Sequence, residues 1–169
     1  MSQDVIIEQV VSIEGIQAEL ANLLVQVVED GASIGFLPPL GESMAVRYWQ
    51  QVLATDVILW VARIDDRIVG SVQLHLCGKA NGLHRAEIAK LMTSPDYRRR
   101  GIGRQLMQEA EDRARQEGRS LLVLDTREGD PSNRLYSSMG YIEAGRIPGY
   151  ARSASGELDA TILYYKELG

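Results

Sequence analysis

The 169-residue chain is short of several things. It has one cysteine, one phenylalanine and five prolines. The single cysteine, Cys77, excludes an intrachain disulfide and a thiolate metal cluster, and no metal is expected. With no base evident beside it, Cys77 reads as a small core residue rather than a nucleophile. No apolar run approaches the roughly 20 residues of a membrane span. The first residues, MSQDVIIEQV, lack a basic region followed by an apolar stretch and do not read as a secretory signal. Basic charge is also scarce. Eighteen Lys and Arg stand against 23 Asp and Glu, a net charge of −5. That balance argues against a general nucleic-acid binder. There is no internal repeat, heptad or low-complexity tract. These absences leave the expectation of one cytoplasmic domain over residues 1–169, able to bury its own core, with neither membrane nor nucleic acid as partner.

What is present is a regular alternation of apolar patterns. Val5, Ile6, Ile7, Val10 and Val11 suggest a first strand. Ile16, Leu20, Leu23, Leu24 and Val27 recur at helical spacing, and Gly31 follows as a stop. Residues 31–43, GASIGFLPPLGES, form a loop that is unusually apolar, and a second helix is expected over 43–53. It reads either as a lid or as a loop folded onto the core. The run at 57–62 and the stretch 68–76 make a hairpin around Asp65 and Asp66, and 87–93 makes a further strand that Pro95 ends. Trp60 reads as core, Trp49 as core or cleft lining. A helix is expected over 103–116, capped by Gly118, then the nearly continuous apolar strand 120–125. Pro131 opens another helix that ends at Gly140, and 141–146 and 161–166 read as closing strands with 149–159 between them. The order predicts an α/β fold: a mixed sheet with helices on its faces, containing a right-handed parallel crossover from Glu87 to Asp125.

An acidic chain nevertheless gathers four arginines around two glycines in RRRGIGRQL, residues 98–106. A strand, an arginine-rich turn and a helix start make an anion site. The first helical turn has unsatisfied N–H groups at its positive end, and glycine lets a phosphate approach them. The arginines add charge-assisted contacts. The pattern is not a dinucleotide fingerprint, because Leu106 stands where a third glycine belongs, and a Walker loop would need Gly-Lys-Ser/Thr.

Arg98-x-x-Gly101-x-Gly103, after LMTSPDY and before an apolar helix, resembles the coenzyme A motif of the GCN5-related N-acetyltransferases (GNAT). Leu135-Tyr136 and Gly140-Tyr141 fall where that family places a Leu-Tyr and a Gly-aromatic pair. The resemblance covers nearly the whole chain. Within the family, GASIGF, CGKANGLHRAE, KLM, GRQLM, LDT and PGY are similar to stretches of tabtoxin-resistance acetyltransferases. The resemblance implies a mostly antiparallel sheet of about seven strands with one parallel pair splayed to admit acetyl-CoA. It implies that Arg98, Arg99, Arg100, Gly101, Ile102, Gly103 and Arg104 take the pyrophosphate, and that the backbone of Leu91, Met92 and Thr93 pairs with the pantetheine arm. Gly129 replaces the asparagine that many members carry seven residues before the tyrosine, and Asn133 is the nearby substitute contact.

The resemblance further implies that Tyr136 protonates a departing thiolate, as an ordinary phenol at neutral pH can. An amine acceptor must lose a proton before attack. Glu87 and Asp125 are the expected base and ammonium ligand, in either assignment. On a regular pleat Glu87 would share a face with Ala89, Leu91 and Thr93. Ser33, Phe36, Asn81, His84 and Tyr150 are candidate acceptor contacts. The expected activity is acetyl transfer to an amine or hydroxyl of a small amino-acid- or dipeptide-like molecule, possible acceptors including a tabtoxin-type β-lactam toxin, by a monomer or homodimer. A silent acyl-CoA sensor and a peptide or protein N-terminal acetyltransferase are the alternatives.

Overall fold

The computed structural model describes residues 4–169. The elements follow in the order β1 (Ile6–Val10), α1 (Gln17–Glu29), α2 (Glu42–Gln50), β2 (Val57–Ile64), β3 (Arg67–Leu76), β4 (Arg85–Thr93), α3 (Ile102–Gln116), β5 (Leu121–Arg127), α4 (Ser132–Ser138), β6 (Ile142–Arg152) and β7 (Leu158–Glu167). A single 3-10 turn, Pro95–Tyr97, links β4 to the glycine loop. The strands form one seven-stranded sheet ordered β1-β2-β3-β4-β5-β7-β6. Every neighbour pair is antiparallel except β4 with β5. Among the described residues no helix is long and apolar enough to cross a membrane.

The apolar run of β2 follows from its central place, because both of its faces are covered. Ile58, Trp60, Ala62 and Ile64 pack toward α3 and α4, while Leu59 and Val61 pack toward α1 and α2. Helix α1 buries Leu20, Ala21, Leu23, Leu24, Val27 and Val28. Helix α3 buries Leu106, Met107, Ala110 and Ala114 at helical spacing. Trp49 is core, fully buried beneath α1. Gly70 of β3 allows α3 to start hard against the sheet. A Cβ there would lie 3.0 Å from Ile102 Cγ2 and 3.0 Å from the Met92 carbonyl oxygen.

Two departures from regular strands shape the cleft. In β4, Met92 pairs with Ser71 and Ala89 with Gln73, so three steps along β4 oppose two along β3. The extra residue is a β-bulge, and Lys90 lies in it at φ +57°. The bulge overturns the expected face: Leu91 packs with Ala86 and Ile88 toward α3, while Met92 packs toward α1. Glu87 therefore does not share a face with Leu91. In β6, Ile147 pairs with Thr161 and Ala151 with Asp159. Pro148, Gly149 and Tyr150 bulge out between them, where Pro148 has no N–H to donate. The expected connection over 149–159 is thus mostly hairpin, with β6 reaching Arg152 and β7 starting at Leu158.

Candidate active site

The parallel pair is short. Strands β4 and β5 are in register only at Arg85–Leu121, Ala86–Leu122 and Glu87–Val123. Beyond Glu87, β4 keeps β3 and β5 keeps β7, so the two part company. The backbone edge of β4 that faces β5 is left without a strand partner from Ile88 onward, a ready template for an extended ligand. A cavity of about 360 Å³ opens in the gap. It reaches Leu91, Ser132 and Tyr136 on the α3–α4 side, and Ser33, Gly35 and Tyr150 on the other.

At the mouth of the gap the glycine loop turns with alternating hand. Arg99 has φ +62° and Gly101 φ +75°, the latter as the left-handed N-cap of α3. Such alternation directs successive N–H groups to one side and makes an anion nest. Gln105 N–H is satisfied by the Gly101 carbonyl at 3.1 Å, which leaves the earlier N–H groups of the first turn to a ligand. Ile102 contributes only backbone, since its side chain is 2% exposed in the core. Gly103 keeps the floor flat: a Cβ there would come 3.4 Å from Leu135 Cδ2 and 3.9 Å from Leu91 Cδ2. The arginines divide. Arg98 is paired with Asp30 at the end of α1, Arg100 stacks over Tyr97 at 5.1 Å, and Arg104 donates to Ser138 Oγ at 2.6 Å. These side chains brace the loop against α1 and α4.

Tyr136 lines the gap and is 6% exposed, its ring set edgewise against Tyr141 and Tyr164 with centroids 5.8 Å away in each case. Burial, then the nearby carboxylates of Asp125 and Asp130, push its hydroxyl well above the ordinary phenol range. It is a proton donor at any physiological pH. Asn133, the expected contact to a pantetheine arm, is bonded within the chain. Its amide nitrogen donates to the carbonyls of Arg127 and Asp130, both at 2.9 Å, and its oxygen accepts from Tyr164 at 2.7 Å. The side chain is consumed in shaping the β5–α4 turn. Ser132, bonded to Thr126 at 2.6 Å, lines the cavity from the start of α4, as Asp130 does from the turn.

Glu87 and Asp125 both line the cavity on the α1–α2 face. Glu87 pairs across the sheet with His75. His75 Nε2 lies 2.9 Å from Gln73 Oε1, and Gln73 donates to the Tyr48 hydroxyl at 2.9 Å. Burial pushes His75 below its ordinary value, against the opposing pull of Glu87 and Asp56, and Lys90 adds to the lowering. Asp125 Oδ2 accepts from Thr161 at 2.8 Å. Arg127, two residues on and therefore on the same face, is held by Asp130 at 3.0 Å and the Gly31 carbonyl at 2.9 Å, with Asp159 4.0 Å away.

The 31–41 loop and the β6–β7 hairpin form opposing walls. Ser33 and Tyr150 line the main cavity. Phe36 lines an adjoining one of about 220 Å³ and packs edgewise on Tyr48 at 5.1 Å. Asn81 and His84 belong elsewhere. They sit in the β3–β4 connection, at the closed end of the parallel pair, where the His84 carbonyl accepts from Ser120 and Leu121 N–H. Neither lines the cavity.

A mixed seven-stranded sheet with one parted parallel pair agrees with what comparison with known proteins finds. The profile of the acetyltransferase (GNAT) family matches residues 22–141. An uncharacterized N-acetyltransferase from the hisH-hisA intergenic region of Azospirillum brasilense is 32% identical over 129 residues, 74% of this chain and 77% of that protein. The chain belongs to the GNAT acetyltransferase family. The ribosomal protein bS18-alanine N-acetyltransferase of Escherichia coli is 32% identical over 82 residues, 48% of this chain and 55% of that enzyme. A putative acetyltransferase from Salmonella typhimurium, solved with its cofactor acetyl-CoA, shares the fold with a TM-score of 0.78 at 15% identity, covering 96% of this chain and 94% of that one.

Within this GNAT domain several cavity residues escaped the sequence reading. Arg127 was signalled by its spacing of two from Asp125 on a strand. Lys90 was signalled as a charge breaking the apolar run of Ile88, Ala89, Leu91 and Met92. Asp159 and Thr161 gave no signal, because only the register of β5 with β7 carries Thr161 to Asp125 and Asp159 to Arg127.

Proposed function

We propose that this GNAT domain transfers the acetyl group of acetyl-CoA to the amine, or a hydroxyl, of a small amino-acid- or dipeptide-like acceptor. One observation carries the reading: Glu87, Asp125 and Tyr136 all line the cavity in the gap between β4 and β5. The nest at residues 99–104 suits a pyrophosphate, the flat floor at Gly103 suits its approach, and the free edge of β4 suits an extended pantetheine arm. Bound there, acetyl-CoA supplies an activated thioester carbonyl.

The chain's own groups do the rest. One of Glu87 and Asp125 takes the proton from the incoming ammonium, and the other holds that ammonium in place. Thr161 steadies Asp125 through its hydrogen bond. Tyr136, kept protonated by burial, donates to the departing sulfur. The α1–α2 loop and the β6–β7 hairpin wall the acceptor side and limit water. A tabtoxin-type β-lactam is one acceptor of the proposed class, which would make the activity a resistance device.

A peptide N-terminus is the second reading, favoured by the likeness to the bS18-alanine enzyme. Thermal unfolding with acetyl-CoA, and with NAD and ATP as controls, tests the cofactor. At about 100 times its dissociation constant a ligand adds roughly 2.7 kcal/mol. In a domain of this size that is a rise of about 5–10 °C. A rise with acetyl-CoA alone supports the proposal, and an equal rise with ATP overturns it. A mixed screen of amino acids, dipeptides, simple amines and an alanine-terminated peptide then separates the two acceptor readings by product mass.

A further inference from the structure

The acceptor side of the cavity holds an arrangement of charge that the acetyl-transfer steps do not use. Lys90 stands in the β4 bulge with left-handed backbone at φ +57°. That conformation favours glycine or asparagine. A lysine held there points to a use for its side chain. The ammonium reaches the α1–α2 loop at Gly35: a Cβ on Gly35 would lie 3.3 Å from Lys90 Nζ. Both residues line the cavity that contains Glu87 and Asp125.

The other cation in that cavity is already held, since Arg127 donates to Asp130 and to the Gly31 carbonyl and has Asp159 4.0 Å away. Lys90 Nζ makes no hydrogen bond or ion pair with any described residue. Glu87 likewise makes neither among the described residues, and Asp125 commits only Oδ2. The cavity therefore offers two carboxylates with spare acceptor capacity and one ammonium with spare donor capacity. A monoamine would complement only the first part of that set. A molecule with an ammonium and a free carboxylate close together complements all of it.

We propose that Lys90 is the carboxylate-binding residue of the acceptor site, and that the acceptor is an amino acid or dipeptide with its carboxylate free. This rests on the acetyltransferase reading. The acceptor's ammonium lies toward Glu87 and Asp125, and its carboxylate accepts charge-assisted hydrogen bonds from Lys90 under the loop at Gly35. The bulge is what turns Lys90 into the cavity, and Gly35 is what leaves room for it.

The test uses the intact protein and matched acceptors: amino acids and dipeptides, their amides, and the corresponding decarboxylated amines. Acetyl transfer is read as free thiol release and product mass. Wild-type kcat/KM should favour the free carboxylate by roughly 10–100-fold, the value of a hydrogen bond between charged groups. Lys90→Met should erase that preference while leaving the decarboxylated amines, acetyl-CoA affinity and Tm unchanged. Lys90→Arg should restore most of it. Lys90→Asn removes the cation but accepts the left-handed backbone, so it gives the same answer if the Met variant folds poorly.

Equal rates on acids and amides by the wild type would overturn the proposal while leaving the acetyltransferase reading intact. So would a preference that survives Lys90→Met, or a Lys90 variant that weakens acetyl-CoA instead. No acetyl-CoA binding by the wild type would remove both.

Discussion

Thr161, itself 3% exposed, donates its hydroxyl to Asp125 Oδ2 at 2.8 Å. The bond ties a carboxylate at the end of β5 to its neighbour β7, and leaves Oδ1 for the cavity. Glu87, across the gap on β4, has no such anchor among the described residues. The two carboxylates can therefore be told apart. Asp125→Asn and Glu87→Gln are each expected to reduce transfer, the loss of a general base by about 10²–10⁴-fold in kcat. The base variant recovers as pH rises, because the acceptor then arrives already neutral. The other variant raises KM and does not recover. Steady-state rates from neutral to alkaline pH decide the assignment. Near-wild-type kcat and KM in both variants would end the carboxylate role.

Tyr136→Phe keeps the ring that packs on Tyr141 and Tyr164 and removes only the hydroxyl. Turnover should fall by about 10²-fold or more, while acetyl-CoA binding, read by thermal shift, stays within about twofold. An unchanged kcat would show that the leaving sulfur finds its proton elsewhere.

Gly103→Ala separates binding from folding. The new methyl would meet Leu135 and Leu91 at ordinary contact distance and crowd a turn where a phosphate must come close to the backbone. In a helix interior alanine is otherwise the more stable residue by roughly 1 kcal/mol. The variant should bind acetyl-CoA about tenfold more weakly, a change of about 1.4 kcal/mol, without a lower Tm. Unchanged affinity would move the pyrophosphate away from this turn.

Most of the element order and the glycine loop were legible in the residues, because both rest on local chemistry. The apolar run of β2 tells of burial on two faces, and Gly101-Ile102-Gly103 tells of a helix start with bare amides. What stayed hidden depends on register. The bulge at Lys90 flips Leu91 across the sheet, and no alternation rule anticipates an inserted residue. The bulge over Pro148, Gly149 and Tyr150 continues β6 to Arg152, and only the register of β5 with β7 brings Thr161 to Asp125. The bracing role of Asn133 was hidden because its type suits a ligand contact as well as a turn brace, and only the structure shows its bonds to the carbonyls of Arg127 and Asp130.

Alkaline stability should be set by buried phenols. Tyr48, Tyr136 and Tyr141 all have hydroxyls pushed up, with burial as the largest cause in each. A folded value above the unfolded one, about 10, means the folded state holds these protons more tightly. Their contribution is complete below about pH 10 and is lost as pH rises beyond it. Urea midpoints should hold steady up to that pH and then fall. Phenolate absorbance of these three rings should appear together with unfolding. Their ionisation at the ordinary value with the fold intact would contradict the burial.

Glu111 of α3 is 1% exposed, and Lys166 of β7 reaches it with Nζ 3.1 and 3.0 Å from the two carboxylate oxygens. The same Nζ donates to the Met139 carbonyl at 2.7 Å and lies 5.5 Å from the Tyr141 ring centroid. One ammonium thus fastens α3, the end of α4 and β7, the frame that holds Tyr136 at the gap. Removing one partner leaves a buried charge alone. Lys166→Met should cost about 3–5 kcal/mol. At roughly 2–4 °C per kcal/mol that lowers Tm by about 6–20 °C. Replacing both partners, Glu111→Leu with Lys166→Met, removes the stranded charge and should recover much of the loss. If the double variant is as unstable as the single one, the pair contributes through packing and the Met139 contact rather than through charge. A cycle of the four proteins measured by urea unfolding at neutral pH gives the coupling directly.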